Sequence, residues 1–390
     1  MRLPKLASDK YCTGCMACVD TCNHHAIKSY LGKDGHFYVC VDEKSCVGCL
    51  SCEKTCPIVS GMEYGRSECA VFYAAWNIND EERSRSASGG AFSAMAHYVI
   101  DHGGVVIGAA IDNICDVKHI VISDINELYK LQGSKYTQSN TNGIYRKTYE
   151  LLKEGKLVLF SGTGCQVGGL LSYLKNKKYS GNLITVDLIC GGVPSKFLLR
   201  EFVENEPYML KRILSFRTKE HGWKPKGFIY NMKVEESDGV IHDYTGKRNL
   251  VTTGFSTELT NRYSCYDCKF VGCNRISDFT IGDLWGDKDY PVEHYNGLSL
   301  LIAHNNKALS LLDEMKDYLS FSYCDEMQAK KHNYRLIDGK NLKGKTLERK
   351  LMPWLFAHCS YNVLKKIYAN DYPNYSPWVI LKVCRKIIFG

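Results

Sequence analysis

The sequence predicts an α+β protein: a cysteine-rich N-terminal module, then a region in which strands and helices alternate around a partly parallel sheet, then a helical C-terminal tail. Three observations carry this. Nine of the 19 cysteines lie within the first 56 residues, eight of them in two matching runs, a β-α-β-α run occupies residues 157–203, and residues 378–389 are mostly apolar with charges at helical spacing. The expected division is 1–66, 67–205, 206–345 and 346–390. At 390 residues the chain has length for two or three domains with ample core.

The eight N-terminal cysteines form two copies of one spacing, Cys12-x2-Cys15-x2-Cys18-x3-Cys22 and Cys46-x2-Cys49-x2-Cys52-x3-Cys56-Pro57. Each cysteine of the second run follows its counterpart by 34 residues (46−12, 49−15, 52−18 and 56−22), so the segment is an internal duplication. This is the ligand pattern of a ferredoxin with two 4Fe–4S clusters, in which the fourth cysteine of each run ligates the other cluster. Cys12, Cys15, Cys18 and Cys56 are expected to hold one cluster, and Cys22, Cys46, Cys49 and Cys52 the other. Each fourth cysteine is expected to start a short helix. Zinc also accepts four thiolates, but its sites usually present CxxC pairs rather than triplets followed by a fourth cysteine. Asn23 stands where the second run has Pro57, and His24 and His25 after it read as a solvated loop pair.

No charged-then-apolar leader and no membrane-length apolar run is evident, and cluster ligands must be reduced thiolates, so a cytoplasmic location is expected. The formal charge of +8 suggests nucleic acid until the clusters are counted. Four thiolates on an oxidised four-iron core carry about −2, so two clusters leave about +4. No basic patch interleaved with stacking aromatics stands out, and no nucleic-acid partner is expected.

Gly61 to Ser67 reads as a linker, and Ala70 to Trp76 as the first strand of a new domain. Ser88-Gly89-Gly90 leads into a helix from Ala91 to Tyr98, and Val105 to Ala110 is an apolar strand. A Ser/Gly turn at a helix start offers free N–H groups to an anion, although an ordinary cap explains the same pattern. Leu157 to Phe160 is a buried strand, Ser161 to Gly164 a tight turn and Gln166 to Leu174 a helix. Leu183 to Ile189 is a second strand, expected parallel to the first, followed by a turn at Gly191-Gly192 and a helix from Ser195 to Val203. Gly162-x-Gly164-x3-Gly168 misses the dinucleotide fingerprint by one position and is weak support for NAD.

Cys165 and Cys190 each lie just beyond the carboxyl end of a strand, where ligands of parallel sheets bind. Cys265-x2-Cys268 supplies a further pair, with Cys273 nearby. A third cluster at Cys165, Cys190, Cys265 and Cys268 is one reading; a zinc site, a redox dithiol and core-filling cysteines are the others.

Several phrases occur together in order: Ser88-Gly89-Gly90, Gly133-Ser134-Lys135-Tyr136, Phe160 to Gln166, Asp187 to Ser195, Phe216-Arg217 with Gly222-Trp223, and Cys265-x2-Cys268 followed by Arg275 to Gly286. With the N-terminal module, this set resembles the coenzyme F420 hydrogenase/dehydrogenase beta subunit family, from the module to about Trp285. The resemblance implies a flavin and iron–sulfur oxidoreductase that uses FAD. Ser88, Gly89, Gly90, Lys135 and Tyr136 become candidate flavin contacts, with Lys135 suited to a phosphate or to electron-rich atoms of the reduced ring. It also strengthens the third-cluster reading.

The implied activity passes electrons between ferredoxin-type clusters and FAD, acting on an organic substrate or a deazaflavin coenzyme, with ferredoxin or another redox protein as partner. The alternatives are a relay subunit of a hydrogenase or formate dehydrogenase complex, and a non-catalytic electron-transfer adaptor in polysaccharide biosynthesis. Two positions depart from the family pattern. Gly164 replaces a proline before Cys165, and Gly191 replaces a histidine after Cys190. On the tail, Lys382, Arg385 and Lys386 share a helical face, which fits contact with a membrane surface or a partner but more commonly packing on its own domain.

Overall fold

Duplication in the sequence becomes duplication of backbone geometry. The computed structural model describes residues 2–63, 70–207, 209–220, 222–223, 231–245, 249–286 and 295–369. Gly14 and Gly48 have φ of 68° and 70°, and Met16 and Leu50 have φ of 62° and 60°. Left-handed backbone disfavours Met and Leu by about 1–2 kcal/mol, so both loops are held by their surroundings. Each reversal starts a one-turn helix, α1 (Ala17–Thr21) and α2 (Ser51–Thr55), whose second residue is the third cysteine of its run. Cys22 and Cys56 end these helices in extended conformation. This corrects the expectation that the fourth cysteine starts a helix: the left-handed residue sets the start earlier. Between the two lies the hairpin β1 (Ile27–Leu31) and β2 (Phe37–Val41), antiparallel with Ile27 opposite Val41.

The rest of the chain builds an α+β body. In order come β3 (Val71–Asn77), α3 (Asp80–Arg85), α4 (Ala91–Asp101), β4 (Val105–Asn113), β5 (Asp116–Ile122), β6 (Ser139–Asn140), α5 (Ile144–Lys153), β7 (Val158–Thr163), α6 (Gly164–Leu174), β8 (Leu183–Leu188) and α7 (Lys196–Asn205). A small sheet, β9 (Leu210–Ser215), β10 (Lys233–Glu236) and β11 (Ile241–Asp243), is followed by α8 (Thr252–Thr257) and β12 (Phe279–Asp283). The described chain ends with β13 (Ser299–Ala303), α9 (Asn306–Glu314), β14 (Leu319–Tyr323), α10 (Glu326–His332), α11 (Leu347–His358) and α12 (Tyr361–Tyr368).

Nine strands form one mixed sheet in the order β14-β3-β13-β12-β8-β7-β4-β5-β6. Its centre, β12-β8-β7-β4, is parallel throughout, and the expected parallel pair is β7 beside β8, with Phe160 opposite Thr185. β3 pairs antiparallel with both β13 and β14, so the large sheet draws strands from both sides of residue 205. One face is covered by α4 and α9, which contribute Met95, Val99 and Leu312 to the core. The other is covered by α5 and α6, and there the N-terminal module joins in: Cys15 and Ala17 pack with Tyr145, Val167 and Leu170. α5 is suited to this because its buried residues Ile144, Tyr145, Thr148, Leu151 and Leu152 recur at helical spacing.

The expected turn at residues 161–164 is absent. β7 runs through Thr163 and α6 begins at Gly164, with the Thr163 N–H donating to Gln166 Oε1 at 2.9 Å. That reciprocal bond is half of a capping box, so the strand enters the helix directly. The glycines of the incomplete fingerprint serve packing: a Cβ on Gly168 would come within 2.4 Å of the Phe270 ring. The expected helix over 378–389 and most of the expected linker lie outside the described residues. Among the described residues no helix is long and apolar enough to cross a membrane.

Candidate functional site

The carboxyl ends of the parallel strands converge on a cavity of about 320 Å³. Its wall takes Ser161 to Thr163 from the end of β7, Leu188 and Ile189 from β8, and Ile281 to Asp283 from β12, which is where the parallel-sheet rule puts a ligand. Ser88, Gly90 and Lys135 line it, but Gly89 and Tyr136 do not. Gly89 packs on backbone, where a Cβ would lie 2.4 Å from the Ala75 carbonyl. Tyr136 stacks on Phe255 with centroids 4.2 Å apart.

Lys135 is half-buried and its ammonium donates to the Leu131 and Gln132 carbonyls at 2.9 and 2.7 Å. Burial lowers its pKa to about 7. An anion in the cavity would restore the charge, so the site favours a phosphate or a reduced, electron-rich ring over a neutral ligand. His119 was not evident from sequence, since it is one polar residue in the alternating strand β5. Its Nε2–H donates to the Ser161 carbonyl at 3.1 Å, leaving Nδ1 to accept from the Ser139 hydroxyl at 2.8 Å. On the rim, Arg217 grips Asp283 through two bonds of 2.9 and 2.7 Å, and Trp223 donates to the same carboxylate at 3.1 Å and stacks on Trp285. Arg217, Trp223, Asp283 and Trp285, from three separated phrases, thus meet in one cluster, of which Asp283 and Trp285 line the cavity.

The structure brings the cysteines of the first run together with Cys56, and Cys52 near Cys22 and Cys49. Cys12, Cys15, Cys18 and Cys56 line one small cavity of about 20 Å³. Cys18 is coupled electrostatically to Cys15, Cys12 and Cys56 ahead of Cys52, while Cys52 is coupled first to Cys22 and then to Cys49. Burial pushes the Cys15 thiol up to about 12 and Cys52 up to about 11. Such thiols ionise only beside positive charge, which is what the irons of a cluster supply. Among the described residues no three Cys, His, Asp or Glu side chains close to the spacing of one shared metal ion. His24 and His25 are exposed.

Cys165, Cys190, Cys265 and Cys268 also converge. Burial raises the Cys165 thiol, and Cys268, Cys265 and Cys190 raise it further. Backbone N–H groups of Gly192, Val193 and Phe270 each approach the sulfur of Cys190, Cys265 and Cys268 respectively at 3.4 Å. Arg335 holds the loops by donating to the Gly191 and Cys265 carbonyls at 2.9 and 3.2 Å, and Arg275 donates to the Leu188 carbonyl at 3.0 Å. Cys273 turns away, its thiol against the Leu336 carbonyl at 3.3 Å. Three of the four cysteines line a cavity of about 500 Å³ between the N-terminal module and the sheet. Gly164 has a steric reason here: a Cβ would lie 2.9 Å from the Phe270 carbonyl oxygen. Gly191 has open space, its Cβ position 3.6 Å from the nearest ring atom, of Phe255.

Four-cysteine loops in duplicate, set on a mixed sheet with a cavity at its carboxyl ends, define an iron–sulfur electron-transfer protein, and residues 11–59 match the 4Fe-4S dicluster domain. Residues 72–145 match the coenzyme F420 hydrogenase/dehydrogenase beta subunit N-terminal family and residues 155–326 its C-terminal counterpart. The chain belongs to the coenzyme F420 hydrogenase/dehydrogenase beta subunit family, and so to the oxidoreductases. A solved structure from Methanosarcina barkeri, described as a xenon derivative of the F420-reducing [NiFe] hydrogenase complex, is similar over 71% of this chain and 91% of that chain, with 17% identity and a TM-score of 0.46. No curated protein matches the chain.

Three buried histidines make the fold acid-sensitive. Burial lowers His36 and His304 to about 3 and His119 to about 4. Each takes up a proton near pH 6.5 when unfolded. The stability they contribute is present above about pH 6.5 and is lost as pH falls toward 4, by up to ~1.4 kcal/mol per pH unit for each histidine. Anaerobic urea unfolding at pH 7, 6 and 5 should show this decline, and His304→Gln should remove about one third of the slope. An unchanged slope in that variant would show that His304 does not contribute.

Proposed function

We propose that the chain is an iron–sulfur flavoprotein oxidoreductase that passes single electrons between two N-terminal 4Fe–4S clusters and FAD, by way of a third cluster at Cys165, Cys190, Cys265 and Cys268. One observation carries this reading: Cys165 lines both the cavity at the strand ends and the cavity beside the CxxC pair. Thr13, next to Cys12, borders these two and the small cysteine cavity as well. The candidate sites are therefore contiguous.

FAD supplies the exchange between two-electron organic chemistry and one-electron carriers. The chain's own residues would hold it. Lys135 presents positive charge at one wall, the Ser88 to Gly90 turn presents backbone, and the Arg217–Asp283 pair fixes the rim. His119 is held as a neutral imidazole, with both nitrogens engaged, so its role is shape and polarity rather than proton transfer. The substrate class implied is an organic molecule or a deazaflavin coenzyme, and the need for reduced thiolates fits the cytoplasm.

The family description as a beta subunit favours a second reading, in which the chain relays electrons for a partner oxidoreductase subunit. Turnover by the purified chain alone separates the two. For the cofactors, anaerobically purified protein is expected to carry at least about eight irons, negligible zinc and FAD that dithionite reduces. Full iron with neither retained nor added FAD bound would end the flavoprotein reading; stoichiometric zinc with little iron would end the cluster reading.

A further inference from the structure

Arg262 is fully buried, at 0% exposure, and stands between the two candidate cysteine sets. Its Nε donates to the Cys12 carbonyl at 2.6 Å, while its own carbonyl accepts from the Cys265 N–H at 2.9 Å. The guanidinium lies 4.4 Å from the centroid of the Tyr38 ring, and Nη1 is 3.5 Å from Gln138 Oε1. Nη2 is buried without a hydrogen-bond partner among the described residues. The loop is built around it, since a Cβ on Gly14 would come within 2.9 Å of Nη1.

A buried guanidinium without a carboxylate is costly unless something else supplies negative charge. Asp34, the acid bonded to that same Tyr38, accepts from its hydroxyl at 2.9 Å and is bridged to Arg349 at 3.4 Å. Four thiolates on a four-iron core supply such charge, and each reduction adds one more negative unit. The sister set has a different setting: Cys49 is exposed and Lys54 of α2 bears on it, whereas Arg262 also bears on Cys265 of the third set.

We propose that Arg262 tunes the cluster held by Cys12, Cys15, Cys18 and Cys56 to a higher reduction potential than the one held by Cys22, Cys46, Cys49 and Cys52. With both clusters bound, an electron entering at the outer set, where Cys49 is exposed, would then move downhill to the inner set, toward Cys165. This rests on the cluster reading above. The cation acts by position, because it favours the more negative, reduced state without bonding to sulfur.

The test is an anaerobic redox titration of the whole protein, followed by electron paramagnetic resonance, with iron measured in each sample. Arg262→Gln should shift one of the two ferredoxin-type signals to lower potential and leave the other in place. Arg262→Lys, which keeps the charge, should restore most of the shift. Gln138→Glu keeps the packing and puts a carboxylate beside the guanidinium, so it should lower the same signal, and it decides the matter if Arg262→Gln loses iron. Unmoved midpoints at full iron, or an equal shift of both signals, would overturn the proposal. Wild-type protein without two four-iron clusters would instead overturn the cluster reading, before any variant is compared.

Discussion

Cys165→Ala is expected to lose about four irons per chain while both ferredoxin-type signals persist. Cys165 is the second residue of α6, just past the end of β7, within electrostatic reach of Cys268, Cys265 and Cys190, and it borders both larger cavities. Removing it takes one corner from a four-thiolate site and breaks the path from Thr13 to the cavity beneath Lys135. Reduced ferredoxin should then reduce the N-terminal clusters but not the flavin. A core-filling cysteine would cost stability at constant iron, and a redox dithiol would change reactivity toward oxidants without changing iron. Constant iron in both Cys165→Ala and Cys268→Ala would remove the third cluster from the proposal.

Asp20→Ala is expected to loosen the N-terminal module from the body, at a cost of about 1–3 kcal/mol. Asp20 is 2% exposed, and its carboxylate accepts from the N–H groups of Gly143 and Tyr145 at 2.7 and 2.9 Å, capping α5 from another part of the chain. Arg146 returns the contact by donating to the Asp20 and Cys22 carbonyls at 2.5 and 2.8 Å. Alanine would leave the buried Tyr145 N–H at a helix N-terminus without its acceptor, and that of Gly143 to solvent. Urea unfolding should show the loss, and limited proteolysis should cut between the module and β3 sooner than in wild type. A change under about 1 kcal/mol would mean that the module is tethered rather than docked.

What the sequence made legible was whatever depends on spacing. The two ferredoxin ligand sets follow from a repeat of 34 residues, and the parallel pair β7 and β8 follows from apolar runs separated by a helix. Placing Cys165 beside Cys190 needed only the rule that parallel strands end together, while adding the CxxC pair rested on the family resemblance. The parts that were not legible depend on distant segments meeting. Arg262, Arg335 and His119 have ordinary neighbours in the chain, and their roles arise from the Cys12 carbonyl, the Gly191 carbonyl and the Ser161 carbonyl. Tyr136 looked like a ligand contact beside Lys135, but aromatic stacking on Phe255 competes for its ring. The helix starts at Met16 and Leu50 were hidden for another reason: left-handed backbone at such residues is imposed by the fold and has no local sequence signal.

The antiparallel edge of the large sheet also sets a timetable for biosynthesis. β3 leaves the ribosome early, yet its neighbours in the sheet are β13 and β14, with Ala75 opposite both Ser299 and Phe321. Pairings this remote in sequence are slow to form. The N-terminal cysteine set is complete once Cys56 has been made, whereas Cys165 and Cys190 must wait for Cys265 and Cys268, and the sheet cannot close until residues beyond 320 emerge. Nascent chains therefore hold a complete N-terminal cysteine module beside an open, half-built sheet for much of their synthesis, and the last cysteine group to assemble is the one bordering the cavity.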